Sequence, residues 1–341
     1  VQQPVRLGLL GLNFGLTVCR ELTGNPSLPV KLVKVCDLDE QRAKAAAAEF
    51  NVPSTQSLDE LLDDPDIDAV GLWCGPDHRA DLVRRVIRAG KDVMTTKPFE
   101  LDPEAALAVL HEAKALGRVV HMNSPNPRPF GQEAILHEWI DSGAIGRPTI
   151  AHVDTWCYYG ATPADGTWYD DPLRCPVAPV FRLGIYPLNT LIGILGEAES
   201  VQVMHSRIET GRPTPDNATL TVLFKNGAIA TILSSFVVGS RPDCYRGSTT
   251  IGGTKGIVWV NPGPASRDGR PQSNVMLSTN DRLEFRSVTR FAGDYDWEFF
   301  AQRVRGEIES DVTTPERIAS AIRVVRAMSE AERTGNTVKV R

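Results

Sequence analysis

The stretch VRLGLLGLNFGL, residues 5–16, decides how the first part of this chain is read. Val5 to Gly11 is a short apolar run that stops at a glycine, as a strand buried on both faces does. The residues after Gly11 suit a helix. Strand, glycine turn and helix in that order leave backbone N–H groups and a helix dipole facing any anion that docks there. The fit to a GxGxxG pattern is partial. Gly11 is in place, but Asn13 and Leu16 hold the next two glycine positions, and Gly15 is one residue early. Asparagine tolerates unusual backbone angles better than most residues, which keeps the turn possible. Alone, the motif reads equally well as an ordinary tight turn.

Working outward, VKLVKVCDLD (30–39) reads as a second strand ending on acid. Asp37 stands where a carboxylate would bond the adenosine ribose 2′-OH of a dinucleotide. It favours NAD over NADP, because a 2′-phosphate would meet its negative charge. The competing reading is a surface aspartate or a cap of the next helix. LDELLDDPDID (58–68) then reads as a short helix, AVGLWCG (69–75) as a strand and HRADLVRRVIRAG (78–90) as a helix with a glycine stop. DVMTT (92–96) is strand-like, PEAALAVLHEAKALG (103–117) is a helix opened by Pro and closed by Gly, and RVVHMN (118–123) closes the series. Repeated units of this length predict a parallel sheet with right-handed crossovers.

Near residue 123 the texture changes. NSPNPRPFG (123–131) holds three prolines and reads as irregular. One helix follows over 132–143, then a long loop, then strands joined by tight turns. ATLTVLF and AIATILSSFVV flank a hairpin at Asn226-Gly227, and 249–260 and 275–288 look alike. Helices are expected around 294–308 and 313–333. The predicted fold is α/β: a Rossmann-type parallel-sheet dinucleotide domain over 1–122, then an α+β substrate domain over 123–341. The second has a mainly antiparallel open sheet, one face of which is free for a homodimer or homotetramer interface.

Composition bounds the function. A chain of 341 residues exceeds what one hydrophobic core usually serves, in keeping with two domains. A net charge of −5 is too mild to imply nucleic acid or an anionic membrane as partner. No apolar run approaches the roughly 20 residues that span a bilayer, and no signal-peptide core precedes the first strand. Six scattered cysteines, with no CxxC pair and no His at metal-ligand spacing, argue against a disulfide framework or a metal site. The expectation is a reduced, cytoplasmic protein.

DVMTTKPFE (92–100), a strand running into Lys-Pro, resembles the glucose–fructose oxidoreductase/inositol dehydrogenase (Gfo/Idh/MocA) family. VKVCDLDEQRAKAAAAEFNVP is similar to its second strand and helix, and WCGPDH to its nicotinamide-side turn. GTWYDDP (166–172), GIYPLN (184–189) and ERTGNTVKV (332–340) match its second domain and its usual close, so the likeness runs over essentially the whole chain. The resemblance implies reversible hydride transfer between NAD(P) and a secondary alcohol, commonly on a sugar or polyol. Lys97 matches the lysine beside the nicotinamide, in a Lys97-Pro98 peptide of the kind that can be cis. Tyr186 matches the position of the proton donor and acceptor. Gly11, Asn13, Phe14, Gly15, Asp37, Cys74, Gly75, Pro76, His78, Thr96 and Lys97 match the cofactor side; Trp168, Arg182, Tyr186 and Asn189 match the substrate side. Each has a bland competitor: a solvated lysine, a packed tyrosine or indole, a histidine that merely starts a helix.

The chain departs from the family pattern at three places, one of them Pro176-Val177-Ala178, which stands where many members carry three glycines. Thr96 stands where Glu usually precedes the lysine, and Arg182 stands where an aspartate usually precedes the tyrosine by four residues. Arginine accepts no hydrogen bond, but it can grip a carboxylate or phosphate bidentately. Three readings stay open: an active enzyme whose Arg182 holds an acidic or keto group, a non-catalytic dinucleotide-binding sensor, or an Arg182 turned toward a structural acid. Pro187 belongs in the first turn of a helix running to Gly196, which places Arg182 before that helix.

Overall fold

The apolar runs of the first part form a six-stranded, all-parallel sheet. Its strands are β1 (Val5–Leu10), β2 (Val30–Cys36), β3 (Ser54–Thr55), β4 (Ala69–Leu72), β5 (Asp92–Thr95) and β6 (Val120–Met122). Between them lie α1 (Leu12–Gly24), α2 (Glu40–Phe50), α3 (Leu58–Leu62), α4 (Arg79–Arg88) and α5 (Pro103–Ala115). The strand order is β3-β2-β1-β4-β5-β6, the dinucleotide-binding arrangement in which the chain reverses direction between β1 and β4. Leu7, Leu9, Val70, Leu72 and Val93 are fully buried, because helices cover both faces of the sheet. This is the reason those strands read as continuous apolar runs.

The computed structural model describes residues 2–158, 166–238, 246–261, 273–289, 293–308 and 313–341; Cys244 lies outside them. Beyond the proline-rich segment come α6 (Gln132–Asp141), β7 (Pro148–Trp156), a π-helical turn (Val180–Gly184) and α7 (Ile185–Leu195). Strands β8 (Ala198–Ser206), β9 (Asn217–Phe224), β10 (Ile229–Ser235), β11 (Arg246–Gly253), β12 (Gly256–Val260), β13 (Ser273–Thr279) and β14 (Leu283–Val288) follow. The chain ends with α8 (Trp297–Val304), α9 (Pro315–Thr334) and β15 (Val338–Lys339). Among the described residues, nine strands make one open sheet in the order β14-β13-β12-β11-β7-β10-β9-β8-β15, antiparallel except for the β7–β10 pair. The expected hairpin joins β9 to β10, with Gly227 at φ 86 in its turn.

The inner face of this sheet (Val153, Leu220, Val222, Ile232, Val258 and Leu277) is buried in one core with Leu188 and Leu191 of α7 and Val324 and Met328 of α9. The outer face leaves Ile150, Met204, Ile229, Ile257 and Phe285 exposed. Strands β7 and β8 fall where the sequence suggested loop. Their outward positions are partly apolar, so the period-2 contrast that marks a half-buried strand is weak.

The units do not divide at a single cut after residue 122. The first comprises Val1–Glu100, Glu104–Arg128 and Tyr295–Pro315; the second comprises Leu101–Pro103, Pro129–Asp294 and Glu316–Arg341. The chain returns because α8 is aromatic. Tyr295, Trp297 and Phe300 are buried in the first unit's core beside Trp73, whose indole N–H donates to the Tyr295 hydroxyl at 2.7 Å. Arg128 adds an ion pair to Asp296 at 2.8 Å.

Candidate active site

In the first unit the expected cofactor residues converge at the carboxyl ends of the parallel strands. Gly11, straight after β1, has φ +92, and a Cβ there would lie 2.8 Å from the Trp73 carbonyl oxygen, so glycine is required. Asn13 does not take the unusual backbone angles expected of it. It lies in the first turn of α1, and Gly11 alone bears the left-handed φ. Gly15 is used for packing: a Cβ would come within 2.8 Å of Leu9 Cδ2, so it lets α1 lie close on β1 one residue earlier than the pattern suggests.

Asp37 follows β2 and reaches back to this turn. Its Oδ2 accepts the Leu12 N–H at 2.7 Å and its Oδ1 the Asp39 N–H at 2.9 Å. The helix-cap alternative belongs to Asp39, whose side chain accepts from the N–H groups of Gln41 and Arg42. Arg42 comes to 3.3 Å from Asp37. The turn fits a dinucleotide. No acidic residue of α1 itself stands in its first turn, and beyond the Leu12 N–H that Asp37 takes up, Asn13 and Phe14 are exposed at the helix start.

The loops after β4 and β5 carry the remainder. Cys74 and Gly75 are half-buried, Pro76 is buried, and His78 is exposed with a left-handed φ of 57. The His78 side chain does not cap α4. Lys97 is half-buried, and its peptide to Pro98 is cis. The Lys97 N–H and the Thr96 hydroxyl both donate to the Asn123 side-chain oxygen at 3.2 Å. Thr96 also meets the Tyr295 hydroxyl, whose pKa burial pushes up to about 12, so the phenol stays protonated. Opposite Asn123, the Arg79 guanidinium, buried to 1 % exposure, donates to the carbonyl oxygens of Thr96 (2.6 Å), Pro98 and Cys74. Sequence reasoning misses Arg79, Asn123 and Tyr295. For Arg79 a signal existed: a cation in the first turn of a helix opposes the dipole and needs other partners.

In the second unit, Arg182 precedes α7, as the sequence suggests. It lies in the π-helical turn that runs directly into α7. Pro187 lacks an N–H and its ring crowds the carbonyl four residues back, and the wider turn relieves both problems. Gly184 lets this turn approach the sheet, since a Cβ there would lie 2.8 Å from Ile232 Cγ2. The Arg182 guanidinium carbon stands 3.9 Å from the Tyr169 ring centroid and 4.9 Å from that of Phe236. Trp168 packs on Tyr169 (4.1 Å between centroids) and edge-on to Phe181 (6.3 Å). Asp170, paired with Arg212 at 2.9 Å, anchors the turn that carries both rings. Tyr186 is half-buried, and Asn189 is buried on the same helix. Gly293, at φ +103, leaves room for the phenol: a Cβ would sit 2.5 Å from Tyr186 Cε1. Below Tyr186, Thr190 donates to Glu133, whose pKa is raised by burial.

A parallel sheet in this order, a glycine turn and an acid after β2 define a nicotinamide-type dinucleotide domain. Comparison with known proteins agrees. Residues 5–124 match the model of the oxidoreductase family with an NAD-binding Rossmann fold, and residues 134–259 the GFO/IDH/MocA C-terminal domain. Inositol 2-dehydrogenase 2 of Saccharopolyspora erythraea is 31% identical over 286 residues, 78% of each chain. The 1,5-anhydro-D-fructose reductase of Ensifer adhaerens is 27% identical over 236 residues, 68% of this chain and 69% of that one. Levoglucosan dehydrogenase, solved with NADH and levoglucosan, superposes with a TM-score of 0.76 at 20% identity, covering 99% of this chain and 100% of that one. The chain belongs to the Gfo/Idh/MocA family and is a nicotinamide-dependent oxidoreductase. No helix among the described residues is long and apolar enough to cross a membrane, and no group of three or more His, Cys, Asp or Glu there is placed to hold a metal.

Proposed function

We propose that this enzyme transfers hydride between NAD and a secondary alcohol or ketone on a sugar-like or polyol substrate, in the cytoplasm. The observation that carries the reading is the gathering of Gly11, Asp37, Cys74 and Lys97 just beyond the carboxyl ends of β1, β2, β4 and β5. Ligands of open α/β sheets bind there, at the point where strand order reverses. Gly11, Asn13 and Phe14 would hold the pyrophosphate, and Asp37 the ribose hydroxyls. NAD, when bound, supplies the hydride acceptor.

An alcohol that loses hydride must also lose a proton. Tyr186 takes that proton, and Lys97 polarises the oxygen it leaves. A phenol has an intrinsic pKa of about 10 and needs positive charge to act at neutrality. Arg182, Asn189 and Trp168 orient the substrate. The Arg182 guanidinium, stacked on Tyr169, suits a keto or carboxylate group. A second copy of the chain covering Ile150, Ile229 and Phe285 on the outer sheet face is the oligomer this reading expects.

The test is a fluorescence titration with NADH and NADPH, followed by turnover assays on myo-inositol, 1,5-anhydro-D-fructose and a series of uronates. Binding with turnover of any one supports the proposal. Binding of neither nucleotide would remove it.

A further inference from the structure

The structure assigns Arg79 a role: we infer that it is a positioning residue, holding the backbone on both sides of Lys97 so that the lysine is set for hydride transfer. The inference rests on the proposal that Lys97 takes part in the reaction. Three observations within the first unit carry it.

The first is what the guanidinium bonds. Its Nη1 donates to the carbonyl oxygens of Thr96, at 2.6 Å, and Pro98, the two residues that bracket Lys97. Its Nη2 donates to the Cys74 carbonyl, on the loop after β4. One rigid fork thus ties together the loops that follow two neighbouring parallel strands. The second is a companion bond. The Ala80 N–H, next in α4, donates to Glu100 Oε2 at 2.8 Å, so the start of α4 grips the 96–100 segment at both ends. The third is the cost accepted. Arg79 is 1 % exposed, sits where a helix dipole disfavours a cation, and leaves its Nε without a partner among the described residues. An apolar residue would fill the space without that penalty. It would leave three carbonyls undirected and remove the grip on Lys97 that opposes the bond to Asn123.

The test uses the whole chain with two substitutions, Arg79→Gln and Arg79→Lys, beside Lys97→Ala. NADH binding is titrated by fluorescence, and kcat and KM are measured with NAD and myo-inositol and with NADH and 1,5-anhydro-D-fructose. Amide hydrogen exchange is followed in peptides covering 73–78, 95–101 and 83–88. For Arg79→Gln the expected result is one equivalent of NADH bound with affinity within a few-fold, KM little changed and kcat reduced about a hundredfold, as a small misplacement of a reacting group does. Exchange should speed up in the first two peptides and not in the third. Arg79→Lys, which keeps the charge but reaches fewer carbonyls, should fall between, and it carries the test if the glutamine variant does not fold.

Unchanged kcat with unchanged exchange overturns the inference. So does exchange that rises throughout the unit with a loss of bound NADH, because that is a general structural role. If Lys97→Ala keeps turnover, the proposed function fails, while the exchange data still decide whether Arg79 holds the turn. If Lys97→Ala is inactive and Arg79→Gln is fully active, only this inference falls. If the wild-type chain turns over neither compound, the exchange pattern alone decides it.

Discussion

The Leu12 N–H donates to Asp37 Oδ2 at 2.7 Å, so the acid after the second strand fixes the first residue of the helix that follows the glycine turn. One carboxylate therefore shapes the loop and, in the proposed function, would also hold the ribose. Hydrogen bonds to a charged group contribute about 1.5–3 kcal/mol, so Asp37→Ser should weaken NADH binding roughly 10- to 100-fold. NADPH binding should improve, because Arg42, now 3.3 Å from Asp37, is released toward a 2′-phosphate. Adding Arg42→Ala should cancel that gain. Titration of each variant with both nucleotides checks this, and an unchanged preference means that the ribose is read elsewhere.

Gly293 offers a separation of strain from function. Gly293→Ala must accommodate both φ +103 and a Cβ 2.5 Å from the Tyr186 ring. Gly143→Ala meets φ +74 with nothing within 4 Å. Both should lose about 1–3 kcal/mol in denaturant titration. Only Gly293→Ala should also lose kcat, since only it displaces the phenol. Equal activity in the two variants would detach Tyr186 from the reaction.

Arg182 lies on the rings of Tyr169 and Phe236, which fixes its plane. Arg182→Asp should shift preference from acidic toward neutral polyols. Arg182→Lys should keep the charge but lose the flat stacking and the bidentate grip, with KM for acidic substrates rising more than kcat falls. An unaltered substrate profile in both variants would reduce Arg182 to packing.

His121, fully buried between Phe299 and Phe300, has no hydrogen-bond partner for either ring nitrogen among the described residues. Burial, with Arg303 and Arg128 adding to it, holds its pKa well below the usual value of 6.5. The sign follows from linkage. Below that value the unfolded chain takes up a proton that the folded chain refuses, so the stability is intact above about pH 6.5 and declines as pH falls from there toward the folded pKa. Denaturant midpoints at pH 7.5 and 5.5 should differ less in His121→Phe than in the wild-type chain. Equal differences would mean that other groups carry the acid sensitivity.

Much of the architecture is legible in the sequence, because helix periodicity and glycine punctuation are local. The βα alternation through Asn123 and the Asn226-Gly227 hairpin are of this kind. What escapes is contact between distant residues. Nothing near Tyr295 announces that its hydroxyl meets Trp73, 222 positions earlier, yet that bond helps draw α8 into the first unit. Arg79, a cation in a helix's first turn, shows that it needs partners but not that they are three carbonyls of two distant loops. Arg182 precedes α7 as the sequence suggests, but nothing local announces that it lies in a π-helical turn leading into that helix.

The most direct measurement is single-turnover hydride transfer, followed by NADH absorbance, in the wild-type chain and in Lys97→Met, with NADH affinity measured on both. Removing a group that polarises the reacting oxygen or assists proton transfer should slow transfer by about 10²–10⁴ while affinity stays within a few-fold. Transfer at the wild-type rate in Lys97→Met contradicts the account, and the residue at the end of β5 would then be no more than a solvated lysine.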